Sequence, residues 1–522
     1  MAKKSILLFL IIIVIASFFR LWHITTVPAG LYPDEAANGL DIVNSIFQGH
    51  QSPFFERGLG REALFFYLQA LSVFIFGIGV WQMHLVSALI GILTVISAWF
   101  LAKNLFNKRV AFLASFFLAT STWHTTLSRT GFRAILVPLF STLFFLFIYL
   151  AFKEVSSKKR ILFAILAGIC FGFGFYTYIA FRAMFLIIGF LLVIILIFHR
   201  GVFKKFWKEM IITFFAALLI MAPLILYFAD HPGSFMGRSG YVSIFNSDQN
   251  KGDMIGTFLE VAKKTFLMFF TEGDLNWRHN VSGYSMLNPL VGAFFALGFL
   301  YAILIVIKRL FKKKSFQENQ SQDYFKYLFL IVCFLGMLGP ELVSAEAIPH
   351  GLRAIGALST VFLFPAIMIN FFWEKITFNF NKKIMFGLVL GLALILGLFY
   401  DYNLYFGVSA NSPDFYYAYR SDLTVVSGYL NERNFKDKTY LVLDKYSVQT
   451  PEFLTSNNHQ PYILIDPATS YQTNLKPGDQ IVFTQSTIFD TKKFGEYHPE
   501  VNLIKQNYNQ FNQEIMRIYE KP

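Results

Sequence analysis

Charge is what this sequence has least of. Only 15% of its 522 residues are charged, where a soluble domain carries about 25%. With 55% hydrophobic residues, that deficit excludes an ordinary soluble enzyme. Cysteine is scarce too. Cys170 and Cys333 both fall inside apolar runs, so no disulfide framework is expected. The centres of the apolar runs lack Asp and Glu. A transporter or flippase, the competing class, places polar sites near the bilayer midplane, and these runs offer no acid there. The chain also shows no internal repeat.

What is present is a series of apolar runs of the length that crosses a bilayer, about 18–25 residues. They fall at 5–22, 82–102, 110–127, 134–152, 161–178, 183–198, 208–228, 286–307, 325–340, 354–373 and 384–400. The first resembles a signal peptide without a small-residue cleavage site, so it reads as a retained anchor. A twelfth run, "REALFFYLQALSVFIFG" (61–77), is short and opens on two charges. If it does not cross, the N-terminus and the links at 103–109, 153–160, 199–208, 308–326 and 374–383 share one side. That side holds 18 Lys and 4 Arg, against 3 Lys and 9 Arg on the other up to residue 400. Lysine and arginine concentrate on the cytoplasmic side of membrane proteins. Eleven spans, a cytoplasmic N-terminus and an interfacial or re-entrant 61–77 follow. The +13 net charge is thereby a matter of topology, and no nucleic-acid partner is implied.

The fold class expected is an all-α polytopic membrane domain over 1–400, with a small C-terminal α/β domain over 401–522 outside the membrane. In that tail, strand-like runs at 439–444, 461–466 and 479–483 alternate with helical stretches near 421–433 and 487–494, a pattern of strand and helix layers.

Chemistry concentrates on the outer side. "GLYPDEAANG" (30–39) carries Asp34 and Glu35 behind Pro33. Residues 34–48 read as an amphipathic helix. Ala36, Leu40, Val43 and Phe47 form its apolar face, and Asp34, Asn38, Asp41, Ser45 and Gln48 its wet face. Asp34 also suits a helix N-cap. Arginine, not lysine, populates the outer ends: Arg57, Arg61, Arg129, Arg133, Arg182, Arg238, Arg278 and Arg353. Its planar fork matches phosphate and carboxylate, and Arg57, Arg61, Arg129, Arg133, Arg182 and Arg353 are the candidate ligands of a donor phosphate. "FFTEGDLNWRHNVSG" (269–283) gathers Asp274, Arg278, His279 and Asn280. "AIPHGLRAIGA" (347–357) adds His350, and "FYTYIAFR" (175–182) adds Tyr176. These are candidate substrate contacts. No His/Asp/Glu spacing matches a metal-ligand pattern, so no metal site is expected and a divalent cation is not indicated. His124 reads as structural.

Acids, arginines and a membrane wall together suit sugar transfer from a lipid phosphate. An acceptor hydroxyl needs a carboxylate base. The lipid phosphate already leaves well, and arginines can hold its charge, so the acid-and-base pair of a glycosidase is not required. On this reading Asp34 is the base and Glu35 supports it.

The order of these motifs resembles the membrane-integral glycosyltransferases of the GT-C superfamily, in particular the bacterial and archaeal relatives of protein O-mannosyltransferases and of lipid A aminoarabinose transferase. "LYPDEAANGLDIVNSIFQG", "FFERGLGREALFFYLQALSVFIFG", "LFNKRVAFLASFFLATSTWHTTLSRTGFRAILVP", "EGDLNWRHNVSGYSMLNPL" and "PHGLRAIGA" carry the resemblance over about residues 1–400. It implies a catalytic Asp in the first outer loop, here Asp34, and juxtamembrane helices in that loop. It also implies a polyprenyl-phosphate sugar donor and a protein, lipid or glycan acceptor, at the cell membrane. The chain departs from the pattern at Glu56-Arg57-Gly58, where aminoarabinose transferases carry a Glu-Lys-Pro-Pro-type stretch. The tail beyond 400 is poorly covered.

Overall fold

The computed structural model describes residues 2–311, 318–376, 380–432, 438–458 and 461–522. Lysines 312–314 of the expected inner link, residue 433 of the expected tail helix and the Arg238 side chain lie outside what is described.

Among the described residues, eight helices are long and apolar enough to cross a bilayer: Val80–Leu105, Arg133–Lys153, Ile179–Phe198, Arg200–Asp230, Pro289–Arg309, Tyr324–Leu342, Ile355–Ile376 and Asn381–Ser409. Each covers one of the eleven expected runs. The other three are helical but differ. The first lies in α1 (Ala2–Leu21), whose apolar part is the shorter Ser5–Leu21. Run 110–127 divides into α5 (Lys108–Thr120) and α6 (Thr122–Ser128), after α2 (Pro33–Asn44), α3 (Leu64–Phe76) and α4 (Val80–Leu105). The break is Ser121, whose backbone leaves the helical region and whose hydroxyl caps His124 N–H. Run 161–178 becomes Ser157–Gly174, which opens on Ser-Lys-Lys-Arg. Helix α3 has 13 residues. At 1.5 Å per residue that is about 20 Å, short of the roughly 30 Å hydrocarbon core. Helix Phe380–Tyr402 leaves Leu388, Val389, Leu392, Leu396 and Phe399 exposed, a surface that lipid tails accept and water does not. The chain is a multi-pass membrane protein.

The chain divides into two compact units, one of residues 1–22, 52–65 and 87–408, the other of 23–51, 66–86 and 409–522. The second takes in more than the expected 401–522: it includes α2 and most of α3.

In the first unit β1 (Phe54–Phe55) and β2 (Arg61–Glu62) form a short antiparallel pair. In the second, β3 (Thr439–Val442), β4 (Ile463–Ile465), β5 (Gln480–Thr484), β6 (Asn502–Tyr508) and β7 (Glu514–Glu520) form one sheet in the order β4-β3-β5-β7-β6. β3 is parallel to β4 and β5, and β7 is antiparallel to β5 and β6. Alternation along the strands builds two cores. Leu441, Val482, Met516 and Ile518 pack with Leu423, Val426 and Leu430 of helix Ser421–Glu432. Val442, Ile481 and Phe483 face the other way, onto Leu475 and Phe494. Strands β3, β4 and β5 coincide with the runs expected from the sequence. The β6–β7 hairpin was not expected: β6 reads "NLIKQNY" and is exposed along its length.

Candidate active site

Helix α2 sits in the second unit. Pro33 is its first residue, where a missing N–H costs nothing. Tyr32, not Asp34, is the N-cap, and it makes no side-chain cap bond. Asp34 and Glu35 therefore lie in the first turn, near the positive end of the helix dipole. The expected wet face is exposed at its two ends, Asp34 and Gln48, and covered in the middle. Asn38 and Asp41 are buried, while Phe47, assigned to the apolar face, is exposed in the 3-10 turn Ile46–Gln48. The reason is a cover that the local period cannot register. Helix Gln449–Leu454 packs on α2, with the Phe453 ring so close to Gly39 that an added methyl would meet it at 2.5 Å. Thr450 also donates its hydroxyl to Leu31 O at 2.9 Å.

The two acids face different surroundings. Asp34 is exposed, and Tyr446 donates its hydroxyl to Asp34 Oδ1 at 2.8 Å. Tyr32 packs edge-on against Tyr446 with ring centroids 6.0 Å apart. Burial, then the Asp34 charge, pushes the Tyr446 phenol well above its ordinary value, so it stays a donor. Glu35 is fully buried, and its Oε2 lies 2.7 Å from His84 Nε2, itself fully buried near the start of α4. Sequence reasoning did not single out His84, because it stands inside an apolar run.

The arginines lie in the first unit. Glu62, a buried residue of β2, accepts from Arg133 Nε at 3.0 Å, with Arg182 Nη2 3.9 Å from its other oxygen. Arg133 stacks over Tyr178 and Arg182 over Phe235. Arg353 pairs with Glu346 at 2.6 Å. Arg61 is buried and donates to Arg57 O at 3.0 Å. Arg129 is fully buried, donating to Phe19 O at 3.2 Å and stacking over Tyr405. Of the six arginines expected to hold phosphate, Arg57 is the exposed one, Arg133 and Arg182 are half-buried, and the other three are buried. Glu56 accepts from Tyr227 at 2.6 Å and Ser234 at 2.8 Å, and these bonds hold its carboxyl below the usual range. Glu62 escaped notice in the sequence because it reads as a helix start.

The substrate-contact candidates divide. Asp274, His279 and His350 come together: Asp274 Oδ2 lies 2.8 Å from His279 Nδ1, and the His279 and His350 rings are 4.5 Å apart. Asn280 Nδ2 donates to Tyr284 O at 2.6 Å, and Arg278 Nε to Asn276 Oδ1 at 3.2 Å, so both brace their own loop. Tyr176 serves a helix. Its hydroxyl donates to Ile220 O at 2.9 Å and accepts from Leu224 N–H at 3.3 Å, splicing into the backbone ladder beside Pro223.

A family model described as dolichyl-phosphate-mannose-protein mannosyltransferase matches residues 63–227. No curated protein matches the chain in sequence. Among solved structures, the chain is similar to ArnT from Cupriavidus metallidurans bound to undecaprenyl phosphate, with a TM-score of 0.56 and 12% identity over 99% of this chain and 98% of that one. It is also similar to the Archaeoglobus fulgidus oligosaccharyltransferase tethered with an acceptor peptide, with a TM-score of 0.54 and 13% identity over 99% and 74%. This chain thus has the fold of these two solved structures, and the mannosyltransferase family model matches it over residues 63–227.

Proposed function

We propose that the chain is an inverting glycosyltransferase that moves a sugar from a polyprenyl-phosphate donor to an acceptor hydroxyl on the extracytoplasmic face, with Asp34 as general base. The acceptor oxygen attacks the anomeric carbon, and the bond from that carbon to the phosphate oxygen breaks. The lipid phosphate leaves with the electron pair, and the hydroxyl proton passes to Asp34. The observation that carries this reading is the contrast within the acid pair. Asp34 is exposed, with Oδ1 held by Tyr446, which leaves Oδ2 as the atom for the proton. Glu35 is enclosed against His84, so its part is to hold α2 in place.

The lipid phosphate needs cations as it departs. Arg57 is exposed, and Arg133 and Arg182 together outweigh the single charge of Glu62. The mannosyltransferase model over 63–227 and the undecaprenyl phosphate held by the similar ArnT support a lipid-phosphate donor. The division of lysine from arginine along the sequence supports a cytoplasmic N-terminus and chemistry on the outer side.

The test is Asp34→Asn in purified, folded protein, assayed with a panel of polyprenyl-phosphate hexoses and pentoses and membrane extract as acceptor. Transfer should fall by about 10²–10⁴-fold, the contribution of a positioned base. A folded Asp34→Asn variant that transfers at the wild-type rate removes Asp34 from that role.

A further inference from the structure

We propose that Asp274, His279 and His350 form a binding site for a borderline divalent transition metal, zinc above all. The site stands on its own geometry and does not depend on the sugar-transfer reading. Each residue offers one ligand atom, and the three atoms lie within 4.8 Å of one another. Ligands about 2.0–2.2 Å from a shared tetrahedral ion sit about 3.4 Å apart, so side-chain shifts of about 1 Å close the set. Two imidazoles and one carboxylate suit zinc, whereas calcium and magnesium prefer all-oxygen shells.

The surroundings hold the ligands in place. Asp274 Oδ2 accepts from Gly351 N–H at 2.7 Å and Oδ1 from Asn276 N–H at 2.8 Å. His350 N–H donates to Glu341 Oε1 at 2.8 Å, which fixes the second loop. Gly351 O in turn accepts from Trp123 Nε1 at 3.2 Å. Such outer bonds orient ligands and raise affinity. Asp274 and His279 are nearly fully buried and His350 is half-buried, so the group is enclosed on one side and open on the other. Two neutral imidazoles and a carboxylate carry one negative charge. A divalent ion turns that to one positive, and the fourth position is left for water or an anionic oxygen. The sequence hides this site because His350 lies 71 positions beyond His279, on a separate loop.

The experiment uses the full chain in detergent, stripped with chelator and titrated with zinc against a chromogenic competitor. Metal content after gel filtration gives the stoichiometry, and cobalt substitution gives a visible spectrum that reports tetrahedral nitrogen and oxygen ligation. One zinc per chain is expected. His279→Ala and His350→Ala should each weaken zinc binding by about 100-fold and abolish the cobalt bands. His50→Ala, at an exposed histidine outside the cluster, should change neither. Asp274→Asn keeps the side-chain shape and serves if an alanine variant unfolds; it too should weaken zinc. A wild-type chain that retains no zinc, or zinc binding equal in wild type and the folded His279→Ala/His350→Ala double variant, overturns the site and leaves an ordinary Asp–His hydrogen bond.

Discussion

At the scale of single residues, the acid pair shows what local sequence conveys. "PDE" placed both acids at a helix start, and that much holds. Their different surroundings depend on Tyr446 and His84, which stand 412 and 49 positions away, and no local pattern carries such information. The Tyr446 contact has a measurable consequence. A hydrogen bond to a charged acceptor contributes about 1.5–3 kcal/mol, and a base that loses about half of that in orientation reacts about tenfold more slowly. Tyr446→Phe should lower kcat by that factor with little change in KM, since the hydroxyl orients the base and need not touch substrate. Unchanged kcat would mean that the contact positions nothing. The phenol is held neutral first by burial and then by the Asp34 charge. A raised value in the folded state favours the native form below the free tyrosine value of about 10, and that advantage is lost as pH rises beyond it. Tyr446 should therefore add no ionisation to the rate profile between neutral pH and about 10, and Tyr446→Phe should keep the wild-type profile shape there.

At the scale of elements, hydropathy located the helices and missed how they are finished. Eight apolar runs match spanning helices because about twenty apolar residues in a row leave the chain few alternatives. The interruption at Ser121 is decided by a single polar contact. Hydropathy also missed β6, whose polar, exposed strand lacks the alternation that marked β3 to β5. Tyr176 illustrates the point. Read as a substrate contact, its hydroxyl instead joins Ile220 O to Leu224 N–H. Tyr176→Phe leaves both backbone groups without that link, at a cost of about 1–3 kcal/mol. The melting temperature in detergent should fall by about 2–4 °C or more, with the transfer rate within about twofold of wild type. An unchanged melting temperature with a marked rise in KM would restore the substrate reading.

At the scale of the whole molecule, the sequence divides the chain at residue 400, while each compact unit is drawn from three separate stretches of it. The tail sheet shares a unit with 23–51 and 66–86, and the links are specific: Tyr446 to Asp34, Thr450 to Leu31, and Phe453 over Gly39. The sequence of the tail shows no catalytic constellation, which leaves its role open. Its packing on α2 gives it one. Phe453 of that cover closes on Gly39 within α2, and a short helix without tertiary packing is marginal in water. A chain ending at residue 409 keeps every apolar run, both acids and all six candidate phosphate-binding arginines. It should still insert into membranes, yet sugar transfer should fall at least as far as in Asp34→Asn. Limited proteolysis should show why, with new cuts between residues 23 and 51 that are absent from the full chain. Transfer at the wild-type rate, or an unchanged cleavage pattern in that loop, would mean that α2 holds its shape alone and that the tail is an accessory.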